Sequence, residues 1–231
     1  MKIVSLGCTH NQHNYITIPE CDVLIHTGDY TQIGSSGDVM NFYEWLGKQT
    51  QAKHKIFIEG NHELMADSDG NVRKYTHTAK YDDWLAYLKS KQDDFTAQNI
   101  YRLHNESITI DGIKFWGSPY TLAFHSWAFN MSLDELKDNW KECPTDTDVL
   151  VTHGPPLGKL DWCLNGQHAG DAWLLQKLIE MRPKLHLFSH IHESHGHTTI
   201  GVADEKQTDL YNVSILGADY SIENQPTVIY I

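Results

Sequence analysis

No apolar run in the 231-residue sequence approaches the length of a membrane-crossing helix. The N-terminal stretch Lys2-Ile3-Val4-Ser5-Leu6 is too short and too soon interrupted for a secretory leader. Cysteine is sparse. Its four positions (Cys8, Cys21, Cys143 and Cys163) include no CxxC spacing of the zinc-ribbon kind. A reduced, cytoplasmic protein without a membrane partner is therefore expected. Basic residues are outnumbered: 18 Lys and Arg stand against 30 Asp and Glu, for a net charge of −12. That balance disfavours tight binding to duplex nucleic acid or to anionic membranes. It leaves room for a small phosphate ester, because a bound metal ion can supply local positive charge. Internal repeats, low-complexity tracts and linkers are also missing, so one domain over residues 1–231 is expected, with enough chain for a substantial core.

Histidine, by contrast, is abundant at 15 residues. The apolar run Ile56-Phe57-Ile58 reads as a buried strand, and Gly60-Asn61-His62-Glu63 follows it directly. The C-terminal ends of strands are where open α/β sheets bind ligands. Taken alone, the tetrapeptide is also compatible with an ordinary strand-to-helix turn in which Glu63 faces solvent. Four further clusters close apolar runs in the same way. They are Cys8-Thr9-His10 after Ile3–Leu6, Gly28-Asp29 after Val23–His26, His153-Gly154 after Asp148–Val151, and His190-Ile191-His192 after Leu185–Phe188. Helical spacing is expected over Val39–Leu46, over Tyr81–Leu88, from Ser132-x-x-Glu135 to Trp140, and over Trp173–Met181. Asp111-Gly112 suits a type I′ hairpin between Ser107–Ile110 and Ile113–Phe115. Residues 66–78 read as a surface excursion, and two late strands are expected at Leu210–Ser214 and Thr227–Ile231. The alternation favours a mixed or parallel α/β layer architecture.

Nitrogen and oxygen ligands gathered at strand ends fit two-metal hydrolysis. Two ions about 3.5–4 Å apart need a carboxylate to bridge them, and the Asp of Gly28-Asp29 can share its two oxygens in that way.

Together these clusters resemble the calcineurin-like metallophosphoesterase superfamily, whose pattern is Asp-x-His, Gly-Asp, Gly-Asn-His-Glu or -Asp, a later His, and Gly-His-x-His. A narrower resemblance is to the metallophosphoesterase-domain (MPPED-type) branch and related class III cyclic nucleotide phosphodiesterases. It rests on Trp116-Gly117-Ser118-Pro119-Tyr120, Ser126-Trp127-Ala128-Phe129-Asn130 and His153-Gly154-Pro155-Pro156-Leu157-Gly158. It also draws on His190-Ile191-His192-Glu193 with Gly196, on Asn212-Val213-Ser214, and on Asn224 and Pro226.

The resemblance implies a sandwich of two mixed β-sheets flanked by helices, holding two divalent ions (Mn, Fe or Zn). One metal would take His10, Asp29 and His192, with position 8 as a further ligand; the other would take Asp29, Asn61, His153 and His190. His62 would stabilise the attacked phosphate or protonate the leaving oxygen, while a hydroxide bridging the metals attacks a phosphodiester, cyclic nucleotides included. The sequence departs from the pattern at Cys8, where the family has Asp, and at Ser189, where it usually has Gly. A thiolate ligand would favour Zn²⁺ or Fe²⁺ over Mn²⁺ or Mg²⁺. Aromatic residues between Trp116 and Phe129 offer stacking surface, with Tyr120 and His125 as candidates to line a substrate pocket alongside Asn61 and His62. His195 and His197 are expected to lie outside the ligand set. The alternatives are a phosphomonoesterase or nucleotide pyrophosphatase with the same site, a binding or scaffold module weakened by Cys8, and a DNA exonuclease, which the acidic balance disfavours.

Overall fold

Strands β1 (Lys2–Leu6), β2 (Cys21–His26) and β3 (Ala52–Phe57) pair in parallel and place three consecutive strand ends side by side in the computed structural model, which describes residues 1–67, 78–201 and 207–231. Helix α1 (Ser36–Gly47) joins β2 to β3, and α2 (Thr78–Ala97) leads into β4 (Ile100–Arg102). The hairpin β5 (Glu106–Ile110) and β6 (Ile113–Ser118) follows, then the short strands β7 (Thr121–Leu122) and β8 (Asn130–Met131), helix α3 (Leu133–Asn139) and β9 (Val149–Thr152). Helix α4 (Ala172–Met181), β10 (Leu185–Phe188), β11 (Gly196–Ile200), β12 (Thr208–Asn212) and β13 (Thr227–Tyr230) complete the order.

Two large mixed sheets result, in the orders β13-β1-β2-β3-β4 and β11-β12-β10-β9-β6-β5. Successive side chains on a strand point to opposite faces, and here both faces are covered. Ile3, Val23, Ile25 and Ile56 of the first sheet meet Phe115, Val149, Val151, Leu185 and Leu187 of the second in a core between the sheets. Val4, Leu6, Leu24 and Phe57 turn outward beneath Val39, Phe42, Tyr43 and Leu46 of α1 and Trp84 of α2. Trp116, Leu150, Phe188 and Leu210 turn outward beneath Leu136 of α3 and Leu174 and Leu178 of α4. Burial on both faces is why these strands read as continuous apolar runs without alternation. The fold is the two-sheet α/β sandwich that the resemblance implies.

Local chemistry sets the element ends. Ser35 caps α1 by accepting from Asp38 N, and Ser132 and Glu135 form the reciprocal capping box at α3. Asp111 and Gly112 both have positive φ, 49° and 79°, as a type I′ turn requires. β3 begins four residues earlier than its apolar run, and α2 continues past Leu88 to Ala97. Most of the expected 66–78 excursion lies outside the described residues. Among the described residues, no helix is long and apolar enough to cross a membrane.

Candidate metal centre

The parallel order of β1, β2 and β3 brings Cys8, His10, Asp29 and Asn61 to one end of the first sheet, and β9 and β10 bring His153, His190 and His192 to the same end of the second. Backbone hydrogen bonds stitch the loops together. Cys8 N donates to Gly28 O (2.9 Å), and Thr9 N and His10 N both donate to Asp29 O (2.9 and 3.0 Å). Across the seam, Gly7 N donates to Val213 O (3.0 Å). Four of the clustered residues adopt left-handed backbone: Cys8 (φ 49°), His10 (39°), Asp29 (55°) and His190 (71°). Such conformations cost about 1–3 kcal/mol each and persist where the surroundings over-determine them.

Gly60 answers a different constraint. A Cβ there would collide with Asp29 Oδ1, and would sit 2.6 Å from Asp29 N and from His153 Cε1. Gly60→Ala should therefore lower stability by about 1–3 kcal/mol and displace both Asp29 and His153. Denaturant unfolding together with metal analysis of the purified variant checks both effects.

The ring nitrogens carry the chemical message. His10, His153 and His192 each donate from Nδ1 to a backbone carbonyl: Thr31 O (3.1 Å), Thr27 O (2.9 Å) and Gly217 O (3.1 Å). A carbonyl can only accept, so each Nε2 is left with a lone pair. Two of those lone pairs face each other, His10 Nε2 and His192 Nε2 being 3.3 Å apart. His153 Nε2 lies 2.9 Å from Asn61 Oδ1, 3.2 Å from Asp29 Oδ2 and 3.1 Å from His190 Nδ1. Acceptors that converge in this way without a shared proton repel one another unless a cation lies among them. The donor set fits divalent metal ions. Cys8, His10 and His192 form one group with ligand atoms within 4.8 Å of one another; Asp29, His153 and His190 form a second, and His10, Asp29 and His62 a third between them.

Protonation favours ligation. Burial lowers His10 and His190 to about 3, so both rings are neutral near pH 7. Burial and the charge of Asp29 push the Cys8 thiol up, although His190 N lies 3.1 Å from its sulfur. Direct coordination deprotonates a thiol outright.

Glu63 does not face solvent. It is fully buried, and its two oxygens accept from Asp29 N (2.9 Å), Gly60 N (2.7 Å), Thr31 N (2.9 Å) and Thr31 Oγ1 (2.9 Å). Burial and the charge of Asp29 push its pKa up; the donors from Gly60 and Thr31 oppose them. His62 N donates to Asp29 Oδ1 (2.9 Å), and the His62 ring stacks on Trp127 with centroids 4.2 Å apart.

The cluster opens into a cavity of about 460 Å³ whose walls include Phe124, His125, Trp127, Asn165, Gln167 and Tyr220. His125, a candidate from the sequence, lines this cavity. Tyr120 is not among the lining residues: its hydroxyl meets His104 Nε2 at 3.2 Å and its ring packs on Phe129. His195 Nδ1 donates to Ser214 O, and His197 pairs with Asp209, both away from the ligand groups. Sequence reasoning missed Tyr220, which packs on His10 and His192 with centroids 4.9 and 4.8 Å away, and nothing in its local sequence marks it. It also left Glu63 without a role, although an acidic residue closes the motif.

Residues 1–194 match the family described as Calcineurin-like phosphoesterase. The chain is 34% identical over 234 residues to human Metallophosphoesterase domain-containing protein 1, covering 99% of this chain and 70% of that protein. It is 32% identical over 235 residues to the UPF0046 protein K07C11.7 of Caenorhabditis elegans, covering all of this chain and 75% of that one. Among solved structures, TT1561 of Thermus thermophilus superposes with a TM-score of 0.60 at 13% identity, over 93% of this chain and 90% of that one. GAP50, described as the anchor in the inner membrane complex of Plasmodium, does so at 0.51 and 13%, over 99% and 80%. Both structural likenesses bear on the fold alone.

Proposed function

The chain belongs to the calcineurin-like phosphoesterase family, a family of metal-dependent phosphoric ester hydrolases, and on that premise we propose that it cleaves phosphodiesters, cyclic nucleotides among them. The observation that carries this assignment is the pair of facing lone pairs on His10 and His192, beside the Asp29, Asn61, His153 and His190 group, which meets a substrate-sized cavity through Asp29, Asn61, His190 and His192. Cys8, His10, Asp29 and His192 would hold one divalent ion, and Asp29, Asn61, His153 and His190 the other. Bound there, two ions lower the pKa of water and polarise a phosphoryl oxygen.

The protein's own groups supply the rest. His62, held by its Nδ1 contact with Gln32 O and its stack on Trp127, would donate to the phosphoryl group from Nε2 when both ring nitrogens carry a proton. Glu63 fixes the backbone of Asp29 and Gly60. No Lys or Arg is found among the described residues lining the cavity, so a singly charged diester suits it better than a dianionic monoester or a pyrophosphate. All four cysteines are free, and a reducing cytoplasm would keep Cys8 available as a ligand.

Hydrolysis of bis-p-nitrophenyl phosphate by metal-stripped protein reloaded with Mn²⁺, Zn²⁺ or Fe²⁺ tests the assignment. Turnover should be higher with Zn²⁺ or Fe²⁺ than with Mn²⁺, because thiolate is the softer ligand. Cys8→Asp should reverse that order, raising the Mn²⁺ rate about tenfold, the equivalent of ~1.4 kcal/mol. Metal content and rates that match the parent would remove position 8 from the ligand set. Silence with every metal, on monoesters and pyrophosphates too, would favour a binding module.

A further inference from the structure

A second histidine–carboxylate pair shares the cavity with the metal-ligand cluster. His168 lines the cavity, and its Nδ1 lies 2.8 Å from Asp161 Oδ1. Asp161 is 1% exposed, and its other oxygen accepts from Gly158 N (2.9 Å) and Gly170 N (3.0 Å). A carboxylate held by two backbone amides can take one further donor, so Nδ1 carries a proton and Nε2 is the atom left to act.

The loop that carries the pair is built to hold it still. Trp162 and His168 face each other as an antiparallel bridge with rings 4.8 Å apart, Cys163 N donates to Gln167 O (2.9 Å), and Ala169 N donates to Asp161 O (3.0 Å). Leu164 N donates to Glu193 Oε1 (2.8 Å), which ties the loop to the residue after His192. The His168 side chain nevertheless remains 48% exposed. A buried carboxylate orienting a half-exposed imidazole is the arrangement that readies a ring nitrogen for proton transfer. With no Lys or Arg among the described lining residues, imidazoles are the lining side chains there that can carry a positive charge to a departing oxygen. His125, also in the lining, has no carboxylate partner among the ion pairs of the described residues; His168 has one.

We propose that His168, positioned by Asp161, is the general acid that protonates the leaving group. This rests on the phosphoesterase assignment and deepens it. As the oxygen of water bonds to phosphorus and gives up a proton to solvent, the P–O bond to the leaving group breaks, and its electron pair stays on the departing oxygen. That oxygen takes the proton from His168 Nε2. The imidazolium becomes a neutral imidazole that still donates from Nδ1 to Asp161, and solvent returns the proton. His168 is the catalytic residue of the pair; Asp161 is a positioning residue. The substrate class that needs such a donor is a diester with a poor leaving group, such as an alcohol or a sugar hydroxyl.

The test compares kcat/KM for methyl p-nitrophenyl phosphate, whose leaving group departs without a proton, with that for methyl phenyl phosphate, whose leaving group is far more basic. In His168→Gln the loss on the phenyl ester should exceed the loss on the p-nitrophenyl ester by about a hundredfold, the lower end of what general acids contribute. Asp161→Asn should shift the ratio the same way by a smaller factor. Equal losses on the two esters, or no loss in His168→Gln, would overturn the proposal while leaving the hydrolase intact. The unmodified protein supplies a control free of folding effects. Its rates should differ less between the two esters than their hydroxide-catalysed hydrolysis does in solution, and an equally steep difference would overturn the proposal. A parent protein inert toward both esters with every metal would instead overturn the phosphodiesterase assignment, and this proposal with it.

Discussion

Asp29→Asn is expected to abolish turnover of bis-p-nitrophenyl phosphate, with a loss on the order of 10³-fold or more, while leaving the fold in place. The carboxamide matches the carboxylate in shape, and its oxygen can still accept from His62 N. What it loses is the charge that two cations would share. Its NH₂ would also point into a space where His153 Nε2 now lies 3.2 Å from Oδ2 and His10 Nε2 lies 3.9 Å from it. That NH₂ can satisfy an imidazole lone pair and so compete with a metal for the same nitrogen. Several kcal/mol of transition-state stabilisation are attributable to such ions, at 1.36 kcal/mol per tenfold in rate. Metal analysis and turnover, measured on the same preparation, check the expectation. An Asn variant that retains two equivalents of metal and the parental rate would remove Asp29 from the bridge.

Glu63→Ala should act on stability instead, and strongly. Four donors point at this carboxylate, three of them backbone N–H groups of Asp29, Gly60 and Thr31. Truncation leaves them facing a pocket lined by their own loops, at a cost of about 1–3 kcal/mol for each buried group left unsatisfied. Entry of water offsets part of that, and a net loss of about 3–5 kcal/mol is expected, in the range for breaking a buried charged network. Domains of this kind have about 5–15 kcal/mol in total, so the variant should unfold at markedly lower urea. Glu63→Gln offers little rescue, because either orientation of the amide sets an NH₂ against two of the donors. Urea unfolding of the metal-free proteins measures this directly. A change under about 1 kcal/mol in the Ala variant would show that the loops around Asp29 hold without Glu63.

Most of the architecture was legible because the strands carrying it are buried on both faces. Ile3–Leu6, Val23–His26 and Leu185–Phe188 announce themselves as apolar runs, and the polar groups that interrupt them mark the sheet ends where the ligands gather. Asp29 and the histidines were visible for the same reason. The elements that escaped lack that signal. β11, with the sequence Gly-His-Thr-Thr-Ile, is an edge strand whose residues are half-buried or exposed, and β4 is three residues long. Glu63 is buried by the way two loops close over it, which no local pattern encodes. Tyr120 lies just ahead of lining residues in the sequence, but its own hydroxyl meets His104. The Asp161–His168 pair depends on a seven-residue turn-back that brings two separated side chains to 2.8 Å.

The antiparallel partner of β1 comes late in the chain. Lys2 to Ser5 pair with Tyr230 to Thr227, whereas β2, β3 and β4 of the same sheet are complete by Arg102. At ~5–20 residues per second, a ribosome needs roughly 6–25 s to make the stretch between Arg102 and β13. Throughout that interval β1 carries an open hydrogen-bonding edge, the kind of template that recruits other strands. His153, His190 and His192 emerge within the same window, so the candidate ligand set is completed only after the first three strand ends have been made. The first sheet therefore closes on its β1 side only when the chain has been made through to β13.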